Sequence, residues 1–246
     1  MSTFIRESGK YKPYELQHRF RRSVFFLLKF LIIVFVLHLV LHNFFLSSFD
    51  IKNSSMEPTI TKNERLFVTP FLYGPYYPFS KKRIFTVHPP ERGDIAVYIP
   101  SESRPSTVLQ KAVDPVVRFF TLNRVYSVSK QLRQHRPRYL IKRVIGIPGD
   151  TVELRENGIF IKSKESEYFL HEMEIIDQFY KVTESQELYT SSLVASEYRL
   201  EKDEYFLLGD NRTNSIDSLD FGPVKGDCIY GKIILRYWPF KKFGRP

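Results

Sequence analysis

One cysteine and six scattered histidines are all that this 246-residue chain offers toward crosslinks or soft metal ligands. The lone Cys228 excludes an internal disulfide, so the fold rests on its core. In the strand-like run "CIYGKIIL" it reads as a small packing residue. No His/Cys spacing matches a zinc site, and we expect neither a metal nor a cofactor. Internal repeats are absent. Beyond the first 46 residues no long 3.6-residue apolar period appears, except inside 101–138, which leaves short alternating segments to build the domain.

The length holds one medium domain plus an appendage. A formal charge of +10 points to an anionic partner, for which the face of a membrane is a candidate as much as nucleic acid. One long apolar run is present, "VFFLLKFLIIVFVLHLVLHNFFL", from Val24 to Leu46. At about 1.5 Å per residue, a helix of that length crosses a hydrocarbon core of ~30 Å. Lys29 can snorkel to the interface, and His38 and His42 read as packing or interfacial groups. The segment "NFFLSSFD" lacks the small residues of a signal-peptide exit, so residues 23–46 are expected to remain as a single-pass anchor. Residues 1–22 carry Arg6, Lys10, Lys12, Arg19, Arg21 and Arg22 against Glu7 and Glu15. The positive-inside rule puts that end in the cytoplasm and residues 47–246 outside.

The outer part reads as mainly β, an antiparallel sheet or barrel-like domain. "RGDIAVYIP" (92–100), "YLIKRVIGI" (139–147) and "CIYGKIILRYW" (228–238) alternate as strands, and Asn157-Gly158 marks a hairpin. Residues 101–138 form a basic insertion with Arg104, Lys111, Arg118, Arg124, Lys130, Arg133, Arg136 and Arg138. A solvated loop is one reading of it and contact with anionic lipid another. Nucleic acid is not an expected partner outside a membrane.

Four segments carry chemistry. Ser55-Met56-Glu57-Pro58-Thr59 is followed in order by "RGDIAVYIP", "IKRVIGIPGD" (141–150) and "GDNRTNSIDS" (209–218). A serine hydroxyl attacks a carbonyl only when a base removes its proton. None of these segments contains histidine, and no G-x-S-x-G elbow exists. Lysine can serve if burial lowers its pKa from about 10.4 toward roughly 7–8. On a strand, Lys142 shares a face with Leu140 and Val144, while Arg143 faces away with Ile141 and Ile145. Such apolar flanks would desolvate the amine.

The four ordered segments, with the ending "GKIILRYWPFKKFG", resemble type I signal peptidases, the Ser-Lys membrane proteases that remove signal peptides. The resemblance covers 24–100 and 139–244 and leaves the insertion unmatched. It implies Ser55 as nucleophile rather than its neighbour Ser54, Lys142 as general base, and Ser215 as the hydroxyl that orients the amine. It also implies Asp210, Arg212 and Asp217, with Arg143, as bracing ion pairs, and cleavage after small residues at −3 and −1. Phe49, Ile51, Met56, Ile60 and Ile141 flank the pair and could line the shallow pockets that choice needs. The chain departs from the family pattern GDNRDNSxDSR at Thr213 and Leu219, which puts the bracing pattern in question. Asn53 stands where many members carry a serine that helps hold the oxyanion. Retention of both Ser55 and Lys142 speaks against a catalytically silent signal-sequence-binding protein. The apolar N-terminal segment speaks against a self-cleaving repressor. Formal glycosylation sequons at Asn53 and Asn211 fall inside the expected site, which argues for a bacterial setting where they are chance matches. The expected location is the bacterial cytoplasmic membrane, with signal-peptide-bearing preproteins as partners.

Overall fold

The computed structural model describes residues 12–40, 45–74, 83, 85–100, 139–176, 180–183 and 197–246, with side chains omitted at 12–18 and 38–40. The insertion 101–138, for which a lipid contact was one reading, lies outside the described residues.

The chain divides into two units, residues 1–41 and 42–246. The first contains a helix, α1 (Lys12–Val40). Its described side chains include Arg19, Arg21, Arg22 and Lys29 among exposed phenylalanines and leucines such as Phe25, Phe26, Leu27 and Leu28. Among the described residues no helix is long and apolar enough to cross a membrane. This departs from the expected crossing over 23–46. Of the span 23–46, residues 41–44 lie outside the described residues, and the side chains of 38–40 are not described; the stretch that remains carries Lys29 and follows directly on Arg19, Arg21 and Arg22.

The second unit is built from strands β1 (Ser47–Asp50), β2 (Arg65–Thr69), β3 (Ile95–Tyr98), β4 (Leu140–Gly146), β5 (Thr151–Arg155), β6 (Gly158–Lys162), β7 (Leu170–His171), β8 (Glu197–Arg199), β9 (Glu204–Leu208), β10 (Val224–Lys225) and β11 (Ile229–Trp238). All pairings between these strands are antiparallel. A seven-stranded sheet runs β1-β2-β11-β3-β4-β9-β10, and a four-stranded sheet runs β7-β6-β5-β8. The three expected strands appear as β3, β4 and β11.

The alternation read from β4 is realised in the packing. Leu140 and Val144 join a cluster with Tyr73, Ala96, Tyr98 and Leu207. Ile141 packs on the other side with Ile51, Met56, Ile60 and Val97, and Ile145 with Val152, Ile159, Ile161 and Phe206. Each such buried aliphatic contributes about 1.5–3 kcal/mol. Lys142 lies opposite Ala96 of β3, so its stem is carried into the sheet interior. The β5–β6 hairpin turns one residue earlier than expected, at Glu156-Asn157. Gly158 already pairs with Arg155, at a φ of 130°. That positive φ where the hairpin closes requires glycine, and a Cβ at Gly158 would in addition stand 2.6 Å from His171 Nε2.

Candidate active site

The loop after β1 brings Ser55 into the domain. Glu57 N donates to Ser54 O at 3.1 Å and Ile60 N to Met56 O at 2.8 Å, which winds the segment into tight turns. Ser55 itself is buried. The loop after β9 comes to meet it: Asn211 N donates to Ser55 O at 3.0 Å, and Asn211 Nδ2 to Ser54 O at 3.1 Å. Asn214 Nδ2 donates to Ser54 Oγ at 2.9 Å, which ties up the neighbouring hydroxyl. Among the described residues, the Ser55 hydroxyl donates only a long contact, 3.5 Å, to Oδ1 of the exposed Asn53.

Gly209 is the meeting point. A Cβ there would fall 2.2 Å from Ser215 Oγ and 2.5 Å from Ser55 O, so both serines press against its Cα hydrogens. Lys142 is 1% exposed, and its Nζ donates to Ser215 Oγ at 2.6 Å. Burial pushes the Lys142 amine below the usual lysine range, while the Asp217, Asp220 and Asp210 carboxylates pull it back up. Desolvation wins, as expected for an ammonium taken out of water.

Around this centre stands a buried ionic frame. Arg143 Nε and Nη2 donate to the two Asp210 oxygens at 2.9 and 2.7 Å, and its Nη1 to Gly93 O at 2.9 Å. Thr59 Oγ1 adds a third bond to Asp210, at 2.5 Å. Arg212 donates to Gly209 O at 3.0 Å and to Glu172 at 2.7 Å, with both side chains of that pair buried. Breaking such a pair from one side costs about 3–5 kcal/mol, because a buried charge is left alone.

A family described as signal peptidase, peptidase S26, matches residues 24–238. The chain belongs to that family. Curated relatives include a probable signal peptidase I-2 of Synechocystis sp., 27% identical over 79% of this chain and 64% of its own length. Signal peptidase I of Leptolyngbya laminosa is 29% identical over 85% of this chain and 77% of its own length. Signal peptidase I of Bacillus caldolyticus is 35% identical over 42% of this chain and 56% of its own length. The chain thus spans less than two thirds of the first and third of these relatives.

Within this signal peptidase fold, Ser55 and Ser215 meet at Gly209, Lys142 is bonded to Ser215, and Asp210, Arg212, Asp217 and Arg143 bind the surrounding segments. Where family members carry a second aspartate, Thr213 Oγ1 donates to Asn211 Oδ1 at 2.8 Å and fastens the loop without charge. Leu219 enters the core beside Phe206 and Leu208. Phe49, Ile51, Met56, Ile60 and Ile141 fall in one cluster. Of these, Phe49 is half-buried and meets Tyr139 and Tyr230 edge-on, whereas Met56 and Ile60 are fully enclosed.

Glu172, Thr59, Gly209 and Tyr180 escaped the sequence reading. The Arg143 guanidinium lies 4.2 Å above the Tyr180 ring, and Thr183 clips the 209–215 loop by exchanging backbone bonds of 2.8 Å with Asp210 and Arg212. The Tyr180 hydroxyl is buried with no partner among the described residues. Tyr180→Phe keeps the stacking and removes an orphaned polar group, so thermal melts should show stability unchanged or raised by about 1–2 kcal/mol. A loss of stability instead would mean that the hydroxyl is bonded in solution.

Proposed function

We propose that this chain is a membrane-held serine endopeptidase that removes N-terminal signal peptides from exported preproteins, with Ser55 as nucleophile and Lys142 as general base. The observation that carries the reading is the buried amine of Lys142, desolvated and held by Ser215 beside the Ser55 segment. A neutral amine takes the Ser55 proton as Oγ attacks the scissile carbonyl. The ammonium so formed then protonates the departing amine, leaving an acyl-enzyme that water hydrolyses by the same base. Turnover should rise with pH as Lys142 deprotonates. The rise should come earlier than for an ordinary lysine, since burial lowers its pKa.

The oxyanion needs two donors. The Ser55 backbone N–H supplies one, and the Asn53 amide, whose Oδ1 accepts the long 3.5 Å contact from the Ser55 hydroxyl, supplies the other by turning its Nδ2 to the oxyanion. Asn53→Ala should lower kcat by about 10²–10³-fold with KM little changed, and Asn53→Ser should recover much of it. Wild-type kcat in folded Asn53→Ala would leave Asn53 as a turn former only.

Cleavage after small residues at −3 and −1 would follow from a shallow wall made by Phe49, Ile51 and Ile141, with Met56 and Ile60 supporting it from behind. The apolar run 23–46 holds the domain at the bacterial cytoplasmic membrane with residues 47–246 outside. The described part of α1 is exposed nearly all round, as an apolar helix meant for lipid would be. For the basic insertion 101–138 a solvated loop is the first reading and contact with anionic lipid the second. The decisive test is incubation of the detergent-solubilised protein with a purified preprotein, then N-terminal sequencing of the product. A new N-terminus just after a small-x-small site supports the reading, and an uncut precursor overturns it.

A further inference from the structure

The four-stranded sheet reaches the candidate active site through one excursion of the chain. Between its strands β7 and β8, residues 180–183 come to lie along Asp210–Arg212 in the loop after β9. Exposure alternates within the excursion: Tyr180 is buried and Val182 half-buried, whereas Lys181 and Thr183 are exposed. That is the period of an extended segment with one face inward. Tyr180 and Val182 pack with Ile176, Leu208 and Leu219, and the Tyr180 ring carries the Arg143 guanidinium at 4.2 Å. Upstream, the buried Glu172 ties the same excursion to Arg212 at 2.7 Å. None of these anchoring residues on the excursion belongs to the four segments that carry the chemistry.

Backbone bonds run from the excursion through the loop to the nucleophile. Thr183 N donates to Asp210 O and Arg212 N to Thr183 O, both at 2.8 Å, a parallel bridge centred on Asn211. Successive N–H groups of an extended chain point to opposite edges, so Asn211 N faces away from Thr183. It donates to Ser55 O at 3.0 Å, and Asn211 Nδ2 donates to Ser54 O at 3.1 Å on the same side. Residues 210–212 thus stand as a middle strand, bonded to residue 183 on one edge and to Ser55 on the other. We infer that Thr183 is a positioning residue: its backbone fixes Asn211, and Asn211 fixes the Ser55 carbonyl and hence the place from which the Ser55 hydroxyl attacks. This inference rests on the Ser55/Lys142 reading above.

The other ties at this loop cannot replace the backbone bridge. Arg143 grips the Asp210 carboxylate, and rotatable side-chain bonds separate that carboxylate from the peptide it serves. A bond between two peptide groups leaves no such freedom. The Ser55 hydroxyl donates only the 3.5 Å contact to Asn53 among the described residues, so its place depends on its own backbone. Reacting atoms must come within about 3–3.5 Å in the right direction, and a middle strand held along one edge can tilt out of that range. The exposed side chain of Thr183 takes no part, which lets the backbone contribution be separated from the rest.

The test uses the full chain in detergent with a purified preprotein. Thr183→Pro removes the 183 N–H and its bond to Asp210 O, and an extended residue before it suits proline. Thr183→Ala keeps that N–H and serves as the control. Thr183→Pro should lower kcat by about 10–10²-fold, with KM and the pH midpoint of turnover unchanged, because a small misplacement of a reacting group costs rate and not binding. Thr183→Ala should turn over like the wild type. Apart from activity, hydrogen exchange at the Asn211 amide should speed by about tenfold in Thr183→Pro, although its own partner, Ser55 O, is untouched. A merely structural strap would lower the melting temperature and leave both kcat and the Asn211 amide as they are. Wild-type exchange at Asn211, wild-type kcat despite faster exchange, or an equal loss in Thr183→Ala would each overturn the inference. If Thr183→Pro does not fold, the α-hydroxy acid analogue of threonine at 183 swaps only the N–H for oxygen, and the same readouts decide. Turnover retained by Ser55→Ala would instead sink the dyad reading, while the coupling of residue 183 to the Asn211 amide would still be read from exchange.

Discussion

Lys142→Met is expected to abolish turnover and at the same time to stabilise the fold at neutral pH. The catalytic half follows from the site. Lys52 and Lys62 of the Ser55 loop are exposed whereas Lys142 is buried, so only Lys142 among these amines is desolvated, and general-base catalysis with a coupled nucleophile is worth about 10⁴-fold or more. Ser55→Ala should cost a similar amount, and combining the two should add little, because they act as one unit. The stability half follows from burial. Desolvation lowers the Lys142 pKa in the folded chain despite three carboxylates pulling the other way. The unfolded chain, with lysine near its ordinary value of about 10.4, therefore binds more protons between the folded and unfolded values. Stability contributed at this position is most unfavourable below the depressed folded pKa and recovers as pH rises toward the unfolded one. Methionine, of similar length and uncharged, removes that penalty. Its gain in melting temperature should be largest at neutral pH and fade as pH climbs into the ordinary lysine range. A variant that melts lower at every pH would show that the carboxylates outweigh burial. Near-normal turnover at neutral pH would mean a different base.

The features that strand periodicity controls were legible in the residues. The alternation of Leu140, Lys142 and Val144 against Ile141, Arg143 and Ile145 depends only on a period of two, and the packing realises it on both faces. Lys142 could be read as buried for that reason. Contacts fixed by loop closure were not legible. Glu172 pairs with Arg212 across 40 residues, and Thr59 with Asp210 across 151, and neither partner carries a local pattern that names the other. Tyr180 under Arg143 is hidden in the same way. The hairpin at 151–162 was placed correctly but turned a residue early. A sequence cannot show that the positive φ falls on a Gly158 already paired with Arg155, with His171 packed against it. The apolar run 24–46 was plain, whereas among the described residues, which cover it only as far as Val40 and again from residue 45, no helix is long and apolar enough to cross a membrane.

Gly209→Ala should be nearly as damaging as loss of the base, although it removes no functional group. The added Cβ would lie 2.2 Å from Ser215 Oγ, 2.7 Å from Ser215 Cβ and 2.5 Å from Ser55 O, all too short for any real contact. The backbone has no room to retreat. Gly209 N is bound to Asp217 at 2.9 Å, and Gly209 O accepts from Arg212 at 3.0 Å. Either Ser215 is pushed off, which frees the Lys142 amine from its 2.6 Å bond, or the Ser55 segment is driven outward. Misplacement of a reacting group by about 1 Å can cost 10²-fold in rate, and overpacking costs about 1–3 kcal/mol in stability. We expect kcat to fall by about 10²–10³-fold, with KM changed little and the melting temperature lowered. Ser215→Ala removes the hydroxyl that makes the shortest contact, so Gly209→Ala/Ser215→Ala should melt higher than the sum of the two losses predicts, yet remain inactive. Strictly additive melting losses would show that Ser215 and Gly209 do not touch as the geometry has them. A Gly209→Ala enzyme with normal kcat would mean that the two serines tolerate separation, and the tight convergence on Gly209 would carry no catalytic weight.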